Sequence, residues 1–230
     1  MKGPHRRRSV LLAGGLDFAR NHPRYGRELT WWAKNLGAAG FECWLCLGEG
    51  RAPLGGATPS RFTSARRADV MDALSWLGEI GEGDLGLLVA SNHGDRSGLC
   101  LWGPDILSPA EFGASIGETK ATLALVMGQC NGGVFGTLAG PRTVVLSACS
   151  EDERSWACSY PPGPAYNEFL YQLGTAFFGA PDDAPQRGPS QGPITLEDAF
   201  QWARLMDRQK ESPRLFDPTG LAKGIVIGRS

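Results

Sequence analysis

The sequence lacks any apolar run long enough to cross a membrane as a helix. It lacks an export signal as well. Arg6-Arg7-Arg8 is followed by only a short apolar stretch, which Asp17 and Arg20 interrupt, so residues 1–8 read as a basic lead-in to a first strand. Charge of one sign is missing: the formal net charge is −1, which gives no support to a nucleic-acid partner. No Gly-x-Ser-x-Gly elbow, no Gly-x-x-x-x-Gly-Lys loop and no dinucleotide fingerprint is present, so a small-molecule hydrolase or redox protein has no motif behind it. Cys43-Trp44-Leu45-Cys46 has no second cysteine pair at zinc spacing to join it, and no metal and no cofactor are expected. These absences point to a cytoplasmic protein without a membrane or nucleic-acid partner.

What is present suits one folded unit. A chain of 230 residues with 42% apolar content can bury one sizeable core, and a single domain over 1–230 is expected. Its six cysteines, in a chain of this length without a signal, are expected to be reduced. Cys43 and Cys46 lie inside an apolar run reading as a strand, not at a helix N-terminus where such thiols are activated, so they read as core residues.

Strands and helices alternate along the chain. Ser9 to Gly15, Phe41 to Leu47, Leu85 to Ala90, Leu123 to Met127 and Val144 to Leu146 read as buried strands, and Ile225 to Ile227 as a closing one. Leu29 to Leu36, Val70 to Leu77, Tyr166 to Phe177 and Leu196 to Met206 recur at helical spacing. Asp17 to Arg24 and Gly48 to Thr63 read as loops, Leu99 to Trp102 as a small hairpin arm, and Ser108 as the cap of a short helix. Gly179 to Pro193, rich in Pro and Gly, reads as a flexible loop. The alternation predicts an α/β fold: a mostly parallel sheet with helices on both faces. In such sheets the site lies beyond the carboxyl ends of the strands.

Two of the predicted strands end in chemistry. Leu85 to Ala90 runs into Ser91-Asn92-His93-Gly94, and Leu123 to Met127 runs into Gly128-Gln129-Cys130-Asn131-Gly132-Gly133. A thiol must lose its proton to attack a carbonyl, and a nearby imidazole can take it. Gly94, Gly132 and Gly133 flank the pair without side chains, which predicts room for a substrate backbone.

At these motifs the chain resembles the caspase-like (clan CD) cysteine peptidases. Ser91-Asn92-His93-Gly94 is similar to their Ser-Gly-His-Gly or Thr-Asp-His-Gly motif, and Gln129-Cys130-Asn131-Gly132-Gly133 to their x-Cys-x-Ser-Gly motif. Leu146-Ser147-Ala148-Cys149 and Ser155-Trp156-Ala157-Cys158-Ser159-Tyr160 resemble the stretch after the next strand in legumain-type members. There a serine followed by an aromatic lines the pocket for the residue before the cleaved bond. The resemblance spans roughly residues 9 to 228 and implies an α/β/α sandwich. It implies Cys130 as nucleophile, His93 as base and acid, and the backbone amides of Gly94 and Cys130 as oxyanion hole. It places Arg24, Gly128, Gln129, Ser155 and Trp156 at the substrate.

The departures carry information. His93 and Cys130 lie closer in sequence than the roughly 50 residues usual in caspases. The short connection from Cys130 to the next strand leaves no room for a cleavable linker, which predicts a single-chain, legumain-like enzyme. Gly128 stands where relatives carry Gln, Glu or Asp, so selectivity must come from elsewhere. Arg24 suits an acidic or amide side chain, and Glu151-Asp152-Glu153 a basic one. The implied function is a cysteine endopeptidase acting on a protein or peptide substrate, a pore-forming effector being the kind of target some bacterial relatives cleave. The alternative is a catalytically inactive caspase-fold scaffold or binding module.

Overall fold

The computed structural model describes residues 5–51, 58–158, 166–181 and 193–228. The chain opens with strand β1 (Arg7–Ala13), helix α1 (Pro23–Ala38), strands β2 (Glu42–Leu47) and β3 (Arg61–Thr63), helix α2 (Arg67–Gly78) and strand β4 (Leu85–Ala90). A small antiparallel arm follows, made of β5 (Gly94–Asp95), β6 (Gly98–Cys100) and β7 (Ile106–Leu107). Helix α3 (Pro109–Ile116), strand β8 (Thr122–Met127), a 3-10 turn over Gly132–Leu138 and strand β9 (Thr143–Ser147) come next. Helices α4 (Glu168–Phe178) and α5 (Leu196–Met206) and the edge strand β10 (Arg214–Phe216) complete the frame.

Seven strands form the main sheet in the order β10-β9-β8-β4-β1-β2-β3. All pair in parallel except β10, which runs antiparallel to β9. Alternation along each strand divides the interior in two. Leu11 and Ala13 of β1 and Leu87 and Val89 of β4 face a layer with Leu29 of α1, Phe169 of α4 and Phe200 of α5. Val10, Leu12, Leu88 and Ala90 face Leu74 and Leu77 of α2 and Phe112 of α3. The sheet is thus covered on both faces, as the apolar runs predict. Among the described residues no helix is long and apolar enough to cross a membrane.

Several boundaries differ from the sequence expectation. Helix α1 starts at Pro23, inside the segment read as a loop, because proline with its preset φ fits the first helical turn. Arg61–Thr63 is a three-residue edge strand within what reads as a loop. Ile225 to Ile227 does not join the main sheet; its only pairing is an isolated bridge from Val226 to Thr195. The last strand of the sheet is β10 instead. The predicted cap of α3 is present: Ser108 and Glu111 bond reciprocally, as do Thr195 and Asp198 at α5. Cys43 and Cys46 are buried in opposite layers, as an odd spacing along a strand requires, so they cannot pair with one another. Most of the Gly179 to Pro193 loop, with Ser159 and Tyr160, lies outside the described residues.

Candidate active site

The chain leaves β1 toward β2 on one side, and leaves β4 toward β8 on the other. The crevice between the ends of β1 and β4 is therefore the switch point of the sheet, where α/β folds place ligands. His93 falls there, at the end of β4, and Cys130 at the end of the adjacent strand β8. Ala90 and Met127 are register partners at the ends of neighbouring β4 and β8, and each candidate lies three residues beyond its partner. The following residue is equally close: a Cβ placed on Gly94 would lie 2.8 Å from the Cys130 carbonyl oxygen. Tyr25, in the first turn of α1, packs its ring edge-on against His93 at 5.6 Å between centroids. Burial pushes its phenol up to about 12, with the neighbouring Cys130 adding to the rise and Arg24 opposing it.

His93 is oriented by main chain. Its Nε2 lies 2.9 Å from the Arg20 carbonyl oxygen. A carbonyl can only accept, so Nε2 carries the hydrogen and the neutral ring keeps a lone pair on Nδ1. The carbonyl is held by a tight turn in which the Arg20 and Asn21 amides both donate to the Asp17 carbonyl, at 3.2 and 2.8 Å. Asn92, next to the histidine, accepts from the Gly15 amide at 2.8 Å and donates to the Cys100 carbonyl. It thereby clamps the histidine loop to the end of β1. His22 completes an aromatic cluster with its ring centroid 5.3 Å from that of His93.

Cys130 is the one half-exposed thiol; the other five are buried. Burial pushes Cys46 and Cys149 up to about 12 and Cys100 up to about 11. These thiols are poor nucleophiles. The Cys130 thiol lies 3.8 Å from the Ser155 carbonyl oxygen. Asn131 follows in the left-handed region at φ 57°, its side-chain amide donating to the Glu151 carbonyl at 2.7 Å. The glycines after it have a different purpose from the one predicted. A Cβ on Gly133 would meet the Glu151 amide nitrogen at 2.5 Å, so Gly133 admits the protein's own chain and not a substrate backbone. Gln129 also corrects the expectation. It is fully buried, its side chain packed against Gly94 in the histidine loop.

At the start of the Cys130 loop, the Gly128 carbonyl is engaged by the protein itself. Ser155 Oγ donates to it at 2.6 Å and Asn167 Nδ2 at 3.0 Å. Asn167 Nδ2 also donates to Ser155 Oγ at 2.9 Å and to the Trp156 carbonyl at 3.3 Å, while its Oδ1 caps α4 by accepting from the Leu170 amide at 3.0 Å. Trp156 is 47% exposed, one of three large apolar side chains so open among the described residues. Behind it, Glu211 accepts from the Trp156 amide at 2.8 Å, and burial together with the adjacent Asp207 pushes that carboxyl up to about 10. Arg24 lies over the Tyr25 ring, with its Nε buried and without a hydrogen-bond partner among the described residues. The acidic run is engaged elsewhere: Asp152 pairs with Arg96 at 2.9 Å, and Glu153 accepts from Ser150 and Ser212. A groove of about 690 Å³ passes His22, Arg27, Trp31, Lys34 and Trp102; it approaches the site at His22, and neither His93 nor Cys130 lines it.

Asn167 and the buried Glu28 are missed by sequence reasoning, as is the Arg20 carbonyl. A capping signal at Asn167, three residues before Leu170, is visible in retrospect. A main-chain carbonyl has no residue-type signal at all.

No protein-family model matches the chain, and no curated protein matches it in sequence. Solved structures do match. The Geobacter sulfurreducens protein GSU0716 superposes with a TM-score of 0.62 at 14% identity, over 98% of this chain and 94% of that one. Caspase-1 from Spodoptera frugiperda superposes with a TM-score of 0.56 at 10% identity, over 98% of this chain and 91% of that one. The chain has a caspase-like fold. At these identities the likeness speaks for the architecture, and the reading of the site rests on this chain's own residues.

Proposed function

We propose that the protein is a single-chain cysteine endopeptidase. The observation that carries the reading is the pairing of β4 with β8, which sets the oriented His93 and the one accessible thiol, Cys130, equally far past a shared register. In this reading His93 Nδ1 takes the Cys130 proton, and the sulfur forms a bond to the scissile carbonyl carbon. The carbonyl electron pair moves onto oxygen, which the Gly94 and Cys130 amides stabilise. The intermediate collapses as the C–N bond breaks, and the protonated imidazole gives its proton to the leaving amine. Water then attacks the thioester with His93 as base, releasing the acid and the thiol.

Single-chain action is supported by the connection from Cys130 to β9, which is filled by the 3-10 turn over Gly132–Leu138 and a bridge from Gly140 to Thr143. For selectivity, the half-buried Arg24, which forms no ion pair among the described residues, favours an acidic or amide side chain before the cleaved bond, while Asp152 and Glu153 are occupied and Glu151 is exposed. A peptide library and a thiol-reactive probe, applied to wild type and Cys130→Ala, test the proposal. Turnover with labelling at Cys130, both lost in the variant, is expected. Labelling without turnover of any peptide would instead favour an inactive scaffold.

A further inference from the structure

Helix α1 carries a carboxyl group with no contact to solvent. Glu28 is fully buried among the ends of the strands that build the site. One of its oxygens is hydrogen-bonded to Ser91 Oγ, and the other accepts from the Asn167 amide at 3.0 Å. Each partner is one step from the chemistry. Ser91 is two residues before His93, and its own amide donates to the Leu12 carbonyl at 3.0 Å, anchoring the histidine loop on β1. Asn167 holds the Gly128 carbonyl, two residues before Cys130, and also Ser155 and Trp156. The β4 loop, the β8 loop and the Ser155 segment are distant in sequence and already touch through Ser155 and Gly128 and through Gly128 and Ala90. A single side chain from α1 ties all three.

We propose that Glu28 is a positioning residue, a buried carboxyl that holds the His93 loop and the Cys130 loop in mutual register through Ser91 and Asn167. The proposal rests on the peptidase reading above. Both partners can donate to Glu28, the Ser91 hydroxyl and the Asn167 backbone N–H, and a hydroxyl can equally accept from the carboxyl when it is protonated. Charge there is opposed by burial, which pushes Glu28 up to about 8 against the two hydrogen bonds and Arg24. The groups facing it bear this out. Arg24 and Tyr25 share its helix, and Cys158 feels it from the Ser155 segment, where Glu168 of α4 acts on the same thiol. Arg24 is the one cation among them, and its guanidinium is engaged over Tyr25. Ionising Glu28 therefore creates a buried charge whose only nearby cation, Arg24, is engaged over Tyr25, and that charge strains the contacts holding the two loops.

The test compares wild type with Glu28→Gln and Glu28→Ala, by peptide turnover from pH 6 to 9.5 and by the rate of Cys130 alkylation with iodoacetamide over the same range. Gln reproduces the neutral donor and acceptor pair, so kcat is expected within about threefold of wild type at pH 7. Wild type should lose activity above about pH 8, and Glu28→Gln should not. Glu28→Ala should lower kcat about 10- to 100-fold, with KM changed less, because it releases the loops and removes no substrate contact. An Ala variant with wild-type kcat, or a Gln profile superimposed on wild type through pH 9.5, overturns the proposal. If the Ala variant fails to fold, the Gln profile decides alone. If wild type cleaves no peptide, the peptidase reading fails. Alkylation then still judges Glu28: identical pH profiles in wild type and Glu28→Gln overturn it, and an alkaline break found only in wild type supports it.

Discussion

Gly128 allows a sharp test, because the fold leaves no room for a side chain at this position. A Cβ on Gly128 would lie 2.5 Å from Leu170 Cδ1, 2.7 Å from Leu170 Cγ and 2.7 Å from the Ala90 carbonyl oxygen. Leu170 might turn away in a loose core, but it is fully buried in the first turn of α4, which Asn167 caps. The Ala90 carbonyl cannot turn away either, since it accepts from the Gly128 amide at 2.9 Å. Gly128→Ala must therefore displace backbone. Overpacking of this kind costs about 1–3 kcal/mol. In a domain of this size that lowers Tm by about 2–4 °C for each kcal/mol, so a fall of about 2–12 °C is expected. Activity should fall with it, because the Gly128 carbonyl that moves is the acceptor for Ser155 and Asn167. Gly37→Ala is the matched control: it lies within α1 with nothing near its added Cβ, and should stabilise by up to about 1 kcal/mol. Differential scanning calorimetry with peptide turnover reads both variants. A Gly128→Ala protein that melts and turns over as wild type does would refute the packing argument.

Other consequences are open to measurement. His93→Ala should lower turnover about 10²- to 10⁴-fold while leaving the melting temperature near wild type; a smaller loss removes His93 as the positioned base. Glu28 also links stability to pH. Its native pKa is raised from 4.5 to about 8, so the native state retains a proton that the unfolded chain releases, and stability falls as pH rises through that window. Denaturant titrations should show Glu28→Gln gaining on wild type between pH 5 and 8, by about 5 kcal/mol at most; a constant gap refutes the shift. Asn131→Ala should cost about 1–2 kcal/mol, from the lost bond to the Glu151 carbonyl and the left-handed backbone, and Asn131→Gly less; equal losses would dismiss the backbone contribution.

His93 and Cys130 were legible because an apolar strand stops abruptly at a polar or glycine residue, and at the carboxyl edge of a parallel sheet such a stop marks a loop that faces the crevice. The layers were legible for the same reason, since strands covered on both faces need continuous apolar runs. The three-residue edge strands β3 and β10 carry no such run, and their pairing is decided by neighbours distant in sequence. Ile225 to Ile227 has the β-branched composition of a strand but finds only a bridge to Thr195. Glu28 resembles any charged residue on a helix until the fold shows that its face of α1 is the buried one. Arg24 and Trp156 entered by resemblance to a family, and their surroundings in the fold supply what resemblance could not: a guanidinium stacked on Tyr25 in one case and an open indole in the other.

That His93 leans on a backbone carbonyl has a consequence for how the site tolerates change. Where a carboxylate orients a histidine, one nucleotide change can remove it. Here the side chain of residue 20 is dispensable to the contact, so a saturation library should pass nearly every amino acid at that position. Proline is the exception, because the Arg20 amide is needed to close the turn on the Asp17 carbonyl. Selection should fall instead on whatever shapes the turn: on Asp17, whose side chain also accepts from the Arg20 amide at 2.9 Å, and on Gly15, whose φ of 76° disfavours other residues. The group that orients His93 would then be inherited as a loop shape, invisible to any comparison that looks for a matching residue.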